Sequence, residues 1–192
     1  MTEQNEPVAG ERITTGCPTV FLRSWDRKDA AGLVQHADNP RIAATLRDGF
    51  PSPYTLNDAN RFIAMASRPA SGLLLAIDLD GAAVGGIGIT PLKDVYKKTA
   101  EIGYWLAEPF WGKGIATGAV TAMVPVAFEY FDIIRLQAGV FSSNAASMRV
   151  LEKCGFVREA VHQNAITKNG IVMDEVVYVR FREKKGLVKG IG

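Results

Sequence analysis

The run Trp111-Gly112-Lys113-Gly114-Ile115-Ala116-Thr117 lies between a strand-like segment, TAEIGYWL, and a long apolar helical pattern. Two glycines in three positions let the backbone come close to an anion. The helix that follows offers unpaired N–H groups and the positive end of its dipole, so the chemistry this turn suits is holding a phosphate. A tight strand-to-helix turn without any ligand would use the same residues, and both readings stand at this point. Two other phosphate loops are excluded by spacing. GKGIAT does not fit G-x-x-x-x-G-K-[ST], and no G-x-G-x-x-G opens the first strand–helix unit. Two cysteines, Cys17 and Cys154, and two histidines, His36 and His162, give neither a disulfide framework nor metal-ligand spacing, so no metal is expected. Cys154, immediately before Gly155 at the end of a helix pattern, reads as a small buried apolar residue.

The elements that must position such a turn follow from periodicity. Residues 19–25 have strand character, and Asp26 and Asp29 stand at N-cap and N3 spacing before a helix running to about Asp38, which Pro40 ends. Thr55 and Asp58 repeat that capping pattern ahead of a helix with Ala59, Phe62, Ile63 and Ala66 on one face. The segment between, residues 41–54, is a loop rich in Pro and Gly. LLLAIDL, an Asp80-Gly81 turn and VGGIGIT predict a hairpin, and TAEIGYWL extends it into an antiparallel meander that feeds the glycine turn. A helix is expected over residues 113–131, kinked or divided at Pro125, then a strand over 134–141 and a short helix over 144–153 ended by Gly155. Strands over 156–161 and 172–181, separated by a turn at Asn169-Gly170, complete a mixed α/β domain without repeats.

At 192 residues and 47% apolar composition, the chain reads as a flexible leader (1–12), a single domain (13–183) and a basic tail (184–192). The net charge of +2 argues against a dedicated nucleic-acid surface. Arg180, Arg182, Lys184, Lys185 and Lys189 form a local basic cluster, read either as a frayed, solvated terminus or as a local RNA contact. The first eleven residues lack the apolar core of a secretion signal and no run of 18 apolar residues occurs, so a cytoplasmic location with no membrane partner is the expectation.

Three motifs, PYTLNDANRFI, AEIGYWLAEPFWGKGIATGAV and NAASMRVLEKCGF, occur in an order and spacing that resemble the GNAT superfamily of N-acetyltransferases, and most closely the branch containing the ribosomal-protein N-terminal acetyltransferases. The resemblance spans roughly residues 19–182. It implies a central, mostly antiparallel twisted sheet with two splayed parallel strands and flanking helices, and acetyl-coenzyme A (acetyl-CoA) as cofactor. It further implies that Gly112, Lys113, Gly114, Ile115, Ala116 and Thr117 surround the pyrophosphate, and that the pantetheine arm lies between strands ending near Leu106 and beginning near Ile134. Trp111 stands where the family often has Gln or Arg. Backbone donors carry most of such a contact, so an aromatic residue there can simply pack the turn.

Acetyl transfer to an amine requires a proton acceptor for the nucleophile, a donor for the oxyanion and a proton for the departing thiolate. By the same resemblance, Glu101 is the candidate base, acting directly or through water, and a backbone N–H near Leu106 is the oxyanion donor. Asn144 resembles the pantetheine-binding asparagine and Ser147 the residue facing the thiol, although ordinary helix capping explains both equally well. A tyrosine general acid seven residues after the asparagine is missing, since Leu151 occupies that position. Direct transfer, without an acetyl-enzyme, is expected because no Cys–His pair is present. Trp25, Arg47, Phe50, Tyr54, Tyr96 and Tyr104 are the expected acceptor-binding residues. The expected acceptor is a protein or peptide N-terminus, with a small amine or polyamine, or a catalytically silent acetyl-CoA-binding module, as alternatives. A second copy of the chain, as a homodimer, counts among the expected partners.

Overall fold

The apolar run of residues 73–106 folds into three antiparallel strands, β3 (Leu73–Leu79), β4 (Ala82–Pro91) and β5 (Thr99–Leu106), and these form the middle of the molecule. Asp80 and Gly81 both take left-handed backbone, φ 51° and 90°, the conformation that a two-residue hairpin turn demands. The structure, a computed structural model, describes residues 12–183. The leader 1–12, apart from its last residue, and the tail 184–192 lie outside the described residues.

Two strands precede this meander, β1 (Ile13–Thr14) and β2 (Val20–Arg23), and three follow it, β6 (Arg135–Phe141), β7 (Val157–Lys168) and β8 (Ile171–Phe181). The eight strands form one sheet in the order β1-β2-β3-β4-β5-β6-β8-β7. Every neighbouring pair is antiparallel except β5–β6.

Helices cover both faces. On one, α4 (Ile115–Tyr130) and α5 (Ala145–Lys153) bury Val120, Met123, Val124 and Leu151 against Ile87, Ile89, Ile102 and Leu106. On the other, α1 (Ala30–Ala37) and α3 (Leu56–Ala66) bury Leu33, Ala37, Ala59 and Ile63 against Ala76, Trp25 and Trp105. The capping boxes expected at Asp26/Asp29 and Thr55/Asp58 are both made. Burying the apolar stripe of each helix is what keeps it on the sheet, at roughly 25 cal/mol per Å² of apolar surface removed from water.

Beneath α1, Arg23 ties β2 to its surroundings: its Nε lies 2.6 Å from Asp78 Oδ2, and its Nη1 and Nη2 lie 2.7 and 3.0 Å from the two oxygens of Asp29. Both carboxylates are buried. Burial alone would raise the Asp29 carboxyl, but the Arg23 hydrogen bond, the Asp26 backbone N–H and the guanidinium charge outweigh it and hold that group below its ordinary value.

Four expectations need correction. Pro125 does not divide α4, which runs through it as one α-helix, because buried Val120, Met123, Val124 and Ala127 hold both halves to the same sheet face. Pro40 does not only end a helix. It sits in the first turn of a short one, α2 (Pro40–Ala43), capped by Asn39, where its missing N–H costs nothing. The strand expected over 156–161 continues to Lys168 as the exposed edge strand β7. Arg180 and Arg182, read as the start of a solvated cluster, are docked: Arg180 donates to the Cys154 carbonyl at the end of α5, and Arg182 to the Phe128 and Phe131 carbonyls at the end of α4. Cations suit the negative end of a helix.

Candidate active site

The parallel strands β5 and β6 are paired only over Thr99–Glu101 and Arg135–Gln137. Beyond those three residue pairs the strands diverge. On its other side β5 stays paired with β4 as far as Leu106, and the Ala107 N–H donates to the Val84 carbonyl at 2.8 Å. That bond fixes the alternation: Leu106 opposite Gly85 is a non-hydrogen-bonded pair, so the backbone N–H groups of Tyr104 and Leu106 turn away from β4 and into the gap. The Leu106 carbonyl is taken by Trp111 Nε1 at 2.7 Å. Its N–H, turned from β4 into the gap, stands at the position expected for the oxyanion donor. The tryptophan packs the turn, as the sequence allowed, with the Arg41 guanidinium 5.3 Å above its ring.

The gap opens into a cavity of about 1420 Å³ that runs from the glycine turn to α3. At its α4 end, Gly112 and Gly114 are both left-handed, φ +74° and +78°, and a Cβ built on either meets nothing within 4 Å. The first backbone bond of α4 is Gly118 N–H to Gly114 O at 2.9 Å, so the N–H groups ahead of it have no helical acceptor. Gly112, Gly114, Ile115, Ala116 and Thr117 line this end of the cavity. The donors, the dipole and the open space at both Cβ positions fit the pyrophosphate of acetyl-CoA. Lys113 itself does not line the cavity; its ammonium lies 5.5 Å from the ring of Phe110, which does.

At the α5 end, the Asn144 side chain caps the helix by accepting the Ser147 N–H at 3.1 Å. Asn144 is therefore a cap, and the Ser147 hydroxyl is not. That hydroxyl sits 2.8 Å from Tyr104 Oη, which also reaches the Ser147 carbonyl at 3.2 Å. Burial raises the Tyr104 phenol above its ordinary value despite the Ser147 hydrogen bond, so it keeps its proton and acts as a donor. Strand alternation explains why Tyr104 is here and not on the acceptor wall where it was expected: Ile102, Tyr104 and Leu106 face α4 and α5, whereas Glu101, Gly103 and Trp105 face α1 and α3.

Glu101 stands at the last paired position before the divergence, half-buried. Arg47 of the loop between α2 and α3 reaches it with Nη1 and Nη2 at 3.2 and 3.4 Å from its two oxygens, and Gln137 Nε2 is 3.5 Å away. The Arg47 side chain is 67% exposed, so this pair contributes only about 0–1 kcal/mol and yields readily to another cation. Phe50 and Tyr54 also line this side, ring to ring at 5.0 Å. Tyr54 is almost wholly buried, and burial followed by the Asp58 charge pushes its phenol up to about 12.

Two expected acceptor residues are elsewhere. Trp25 is a core residue packed edge-on to Phe62 at 5.2 Å, because the strand before it carries it under α3. Tyr96 is 65% exposed on the β4–β5 connection and does not line the cavity. Sequence reading missed Gly88 and Gly103, which face each other across β4 and β5 beside Glu101, and missed Arg61 and Arg68, which line the cavity from α3 and its end. The glycines did carry a signal, since a glycine inside a strand marks a close approach or a space that a side chain would fill.

Residues 19–157 match the acetyltransferase (GNAT) domain family. Over 173 residues the chain is 34% identical to a Bacillus subtilis (strain 168) protein named "Putative ribosomal N-acetyltransferase YdaF", covering 83% of this chain and 89% of that protein. Among solved structures it is similar to Mycobacterium smegmatis RimJ in complex with CoA-disulfide, with 25% identity and a TM-score of 0.75 over 84% of this chain and 81% of that one. It is also similar to the microcin C7 self-immunity acetyltransferase MccE in complex with acetyl-CoA and AMP, with 26% identity and a TM-score of 0.73 over 86% of this chain and 94% of that one.

Proposed function

We propose that this chain, which belongs to the GNAT acetyltransferase family, directs the acetyl group of acetyl-CoA to the N-terminal amine of a protein or peptide. The family sets the coarser statement: the chain is an acetyl-CoA-dependent N-acetyltransferase with the GNAT fold. No helix among the described residues is long and apolar enough to cross a membrane.

The observation that carries the finer reading is the two-sided gap. Tyr104 and Ser147 face it from the α5 side, Glu101 from the α3 side, so the thioester and the amine approach one opening from opposite faces of the sheet. Arg41, Arg47, Arg61 and Arg68 line the cavity on the acceptor side against two carboxylates, Glu101 and Asp58, which disfavours a polycationic amine. Similarity to a relative described as a ribosomal N-acetyltransferase supports the same reading.

Acetyl-CoA, when bound, supplies the acetyl group as a thioester. Gly112, Gly114 and the N–H groups of residues 115–117 would hold its phosphates, and the Leu106 N–H would meet charge developing on oxygen. Glu101 takes the proton of the acceptor ammonium, which displaces Arg47 from the carboxylate, and so frees the nitrogen lone pair to form the C–N bond. As the C–S bond breaks, the Ser147 hydroxyl gives its proton to sulfur. Tyr104, still protonated, donates to the Ser147 carbonyl and holds Ser147 Oγ 2.8 Å from its own oxygen, which keeps the serine at the gap. The Glu101 proton returns to Ser147 through solvent, and the second proton that the acceptor nitrogen sheds on becoming an amide leaves to solvent, which closes the proton balance.

Incubating the enzyme and acetyl-CoA with ribosomal proteins and with N-terminal peptides, beside a panel of polyamines and free amino acids, tests this reading. Mass spectrometry is expected to place the acetyl group on the α-amine of at least one protein or peptide. A polyamine or amino acid turned over with higher kcat/KM than every peptide overturns it.

A further inference from the structure

On the α3-facing side of the sheet, two of the glycines near Glu101 are covered by side chains. At Gly86 a Cβ would meet Trp105 Nε1 at 2.8 Å and Trp25 Cζ2 at 3.2 Å, and at Gly88 it would meet Leu74 Cδ2 at 2.3 Å. Gly103, directly opposite Gly88 and in the middle of the sheet, is the exception: a Cβ there meets nothing within 4 Å, and the residue is exposed. Its backbone is not left-handed, so conformation does not require glycine here. What the glycine provides is space.

That space is a pit with a bare backbone floor. Leu74 leans over Gly88 on one side, and Trp105, with the Phe50 ring 5.7 Å from its own, closes the end away from Glu101. All of these residues line the cavity. Glu101 and Gly103 are two residues apart on one strand face, about 7 Å. An amine held at the Glu101 carboxylate therefore has room for the substituent on its own α-carbon over Gly103, with Leu74, Phe50 and the Trp105 indole about it.

We propose that this pit is a subsite for the apolar side chain of the residue bearing the acceptor amine, and that Gly103 is its specificity determinant. The inference rests on the reading of Glu101 as the group that meets the amine. The side chains it takes are aliphatic or thioether groups of leucine or methionine size. An alanine or serine leaves the pit to water, and a charged side chain gives up hydration against its apolar walls.

The test compares two peptides that differ only at their first residue, Leu or Ala, with the unmodified enzyme and with the graded variants Gly103→Ala and Gly103→Val. Filling or emptying such a pocket by a methylene or more changes kcat/KM roughly 10–200-fold. The unmodified enzyme is expected to prefer Leu over Ala by at least about tenfold, Gly103→Val to bring the ratio to about one or below, and Gly103→Ala to fall between. Titration with coenzyme A reports that each variant is folded and keeps its cofactor site. A Leu:Ala ratio near one in the unmodified enzyme, or a ratio that Gly103→Val leaves unmoved, overturns the proposal. Acetylation of small amines but not of peptides would sink the protein-acceptor reading alone, since leucinamide against alaninamide measures the same ratio. Calorimetric Kd values of those amides in the presence of coenzyme A give that ratio without turnover.

Discussion

Replacing Gly114 by valine tests the phosphate cradle, provided the strain of the substitution is separated from its effect on the ligand. Gly155, at the end of α5, supplies the control. Its φ is +77° against +78° for Gly114, so a β-branched residue suffers the same left-handed backbone in both places, roughly 1–2 kcal/mol. For a domain of this size that lowers Tm by about 2–8 °C in each variant. The surroundings differ. The nearest group to a Cβ at Gly155 is the Arg180 guanidinium at 3.4 Å, outside the cavity, whereas one at Gly114 points into open space among the N–H groups at the start of α4. The added methyls at Gly114 would displace at least one hydrogen bond to a charged phosphate, worth about 1.5–3 kcal/mol. Coenzyme A affinity is therefore expected to fall about 10–100-fold in Gly114→Val and to stay within about twofold in Gly155→Val. Calorimetric titration at 25 °C on both folded variants, after a thermal melt of each, reads the two effects separately. Equal affinities in the pair, whether both intact or both lost, would refute the assignment of this turn as the cradle.

Glu101→Gln keeps size but loses the proton acceptor, so turnover is expected to drop about 10²–10⁴-fold at acidic and neutral pH and less at high pH, where the amine is already neutral; a pH–rate profile matching the unmodified enzyme would remove Glu101 from the chemistry. Ser147→Ala should lower the single-turnover rate more than coenzyme A affinity and cost under about 1 kcal/mol of stability, because the cap belongs to Asn144 and the Ser147 N–H; a normal single-turnover rate would leave the hydroxyl without a catalytic part. Arg23→Ala strands two buried carboxylates and should destabilise by about 3–5 kcal/mol in urea unfolding at neutral pH, while a loss under about 1 kcal/mol would contradict the burial of that cluster. Because the Asp29 carboxyl is held below its ordinary value in the folded chain, its contribution is fully present above the ordinary carboxylate range and is lost as pH falls through the depressed value; unfolding free energies of the unmodified chain and of Asp29→Asn should converge on acidification, and parallel curves would rule the linkage out.

The glycine turn, the two capping boxes and β5, whose bounds were read as Thr99–Leu106, were legible because each is a local pattern: a cap is two residues three apart, and a strand is an alternation. What escaped depends on partners distant in sequence. Tyr104 changes its job according to which face of the sheet β5 presents, and that is set by register with β4, not by its own neighbours. The far half of β7 is polar and exposed on an edge strand, so it shows no alternation; only pairing with β8 makes it a strand. Trp25 and Tyr96 were both placed by being aromatic near a loop. One is swallowed by the core and the other faces solvent, an outcome composition does not distinguish. Arg47 and Glu101, expected to act separately, meet because the α2–α3 loop folds back onto the sheet.

The divergence of β5 from β6 leaves two unsatisfied strand edges in the interior of a sheet, where most proteins have none. An open edge is a template for any extended chain, and outer edges are usually blunted by short strands, bulges or charge. Here the inner edges are guarded only by occupancy. A ligand that fills the gap would therefore have a second consequence unrelated to turnover: it would bridge halves of the sheet whose strands pair through three residue pairs, and deny both edges to a stray strand. Emptied of coenzyme, the protein is expected to open first at this seam on warming and to self-associate through it, with light scattering rising before global unfolding in the free protein and only together with it at saturating coenzyme A.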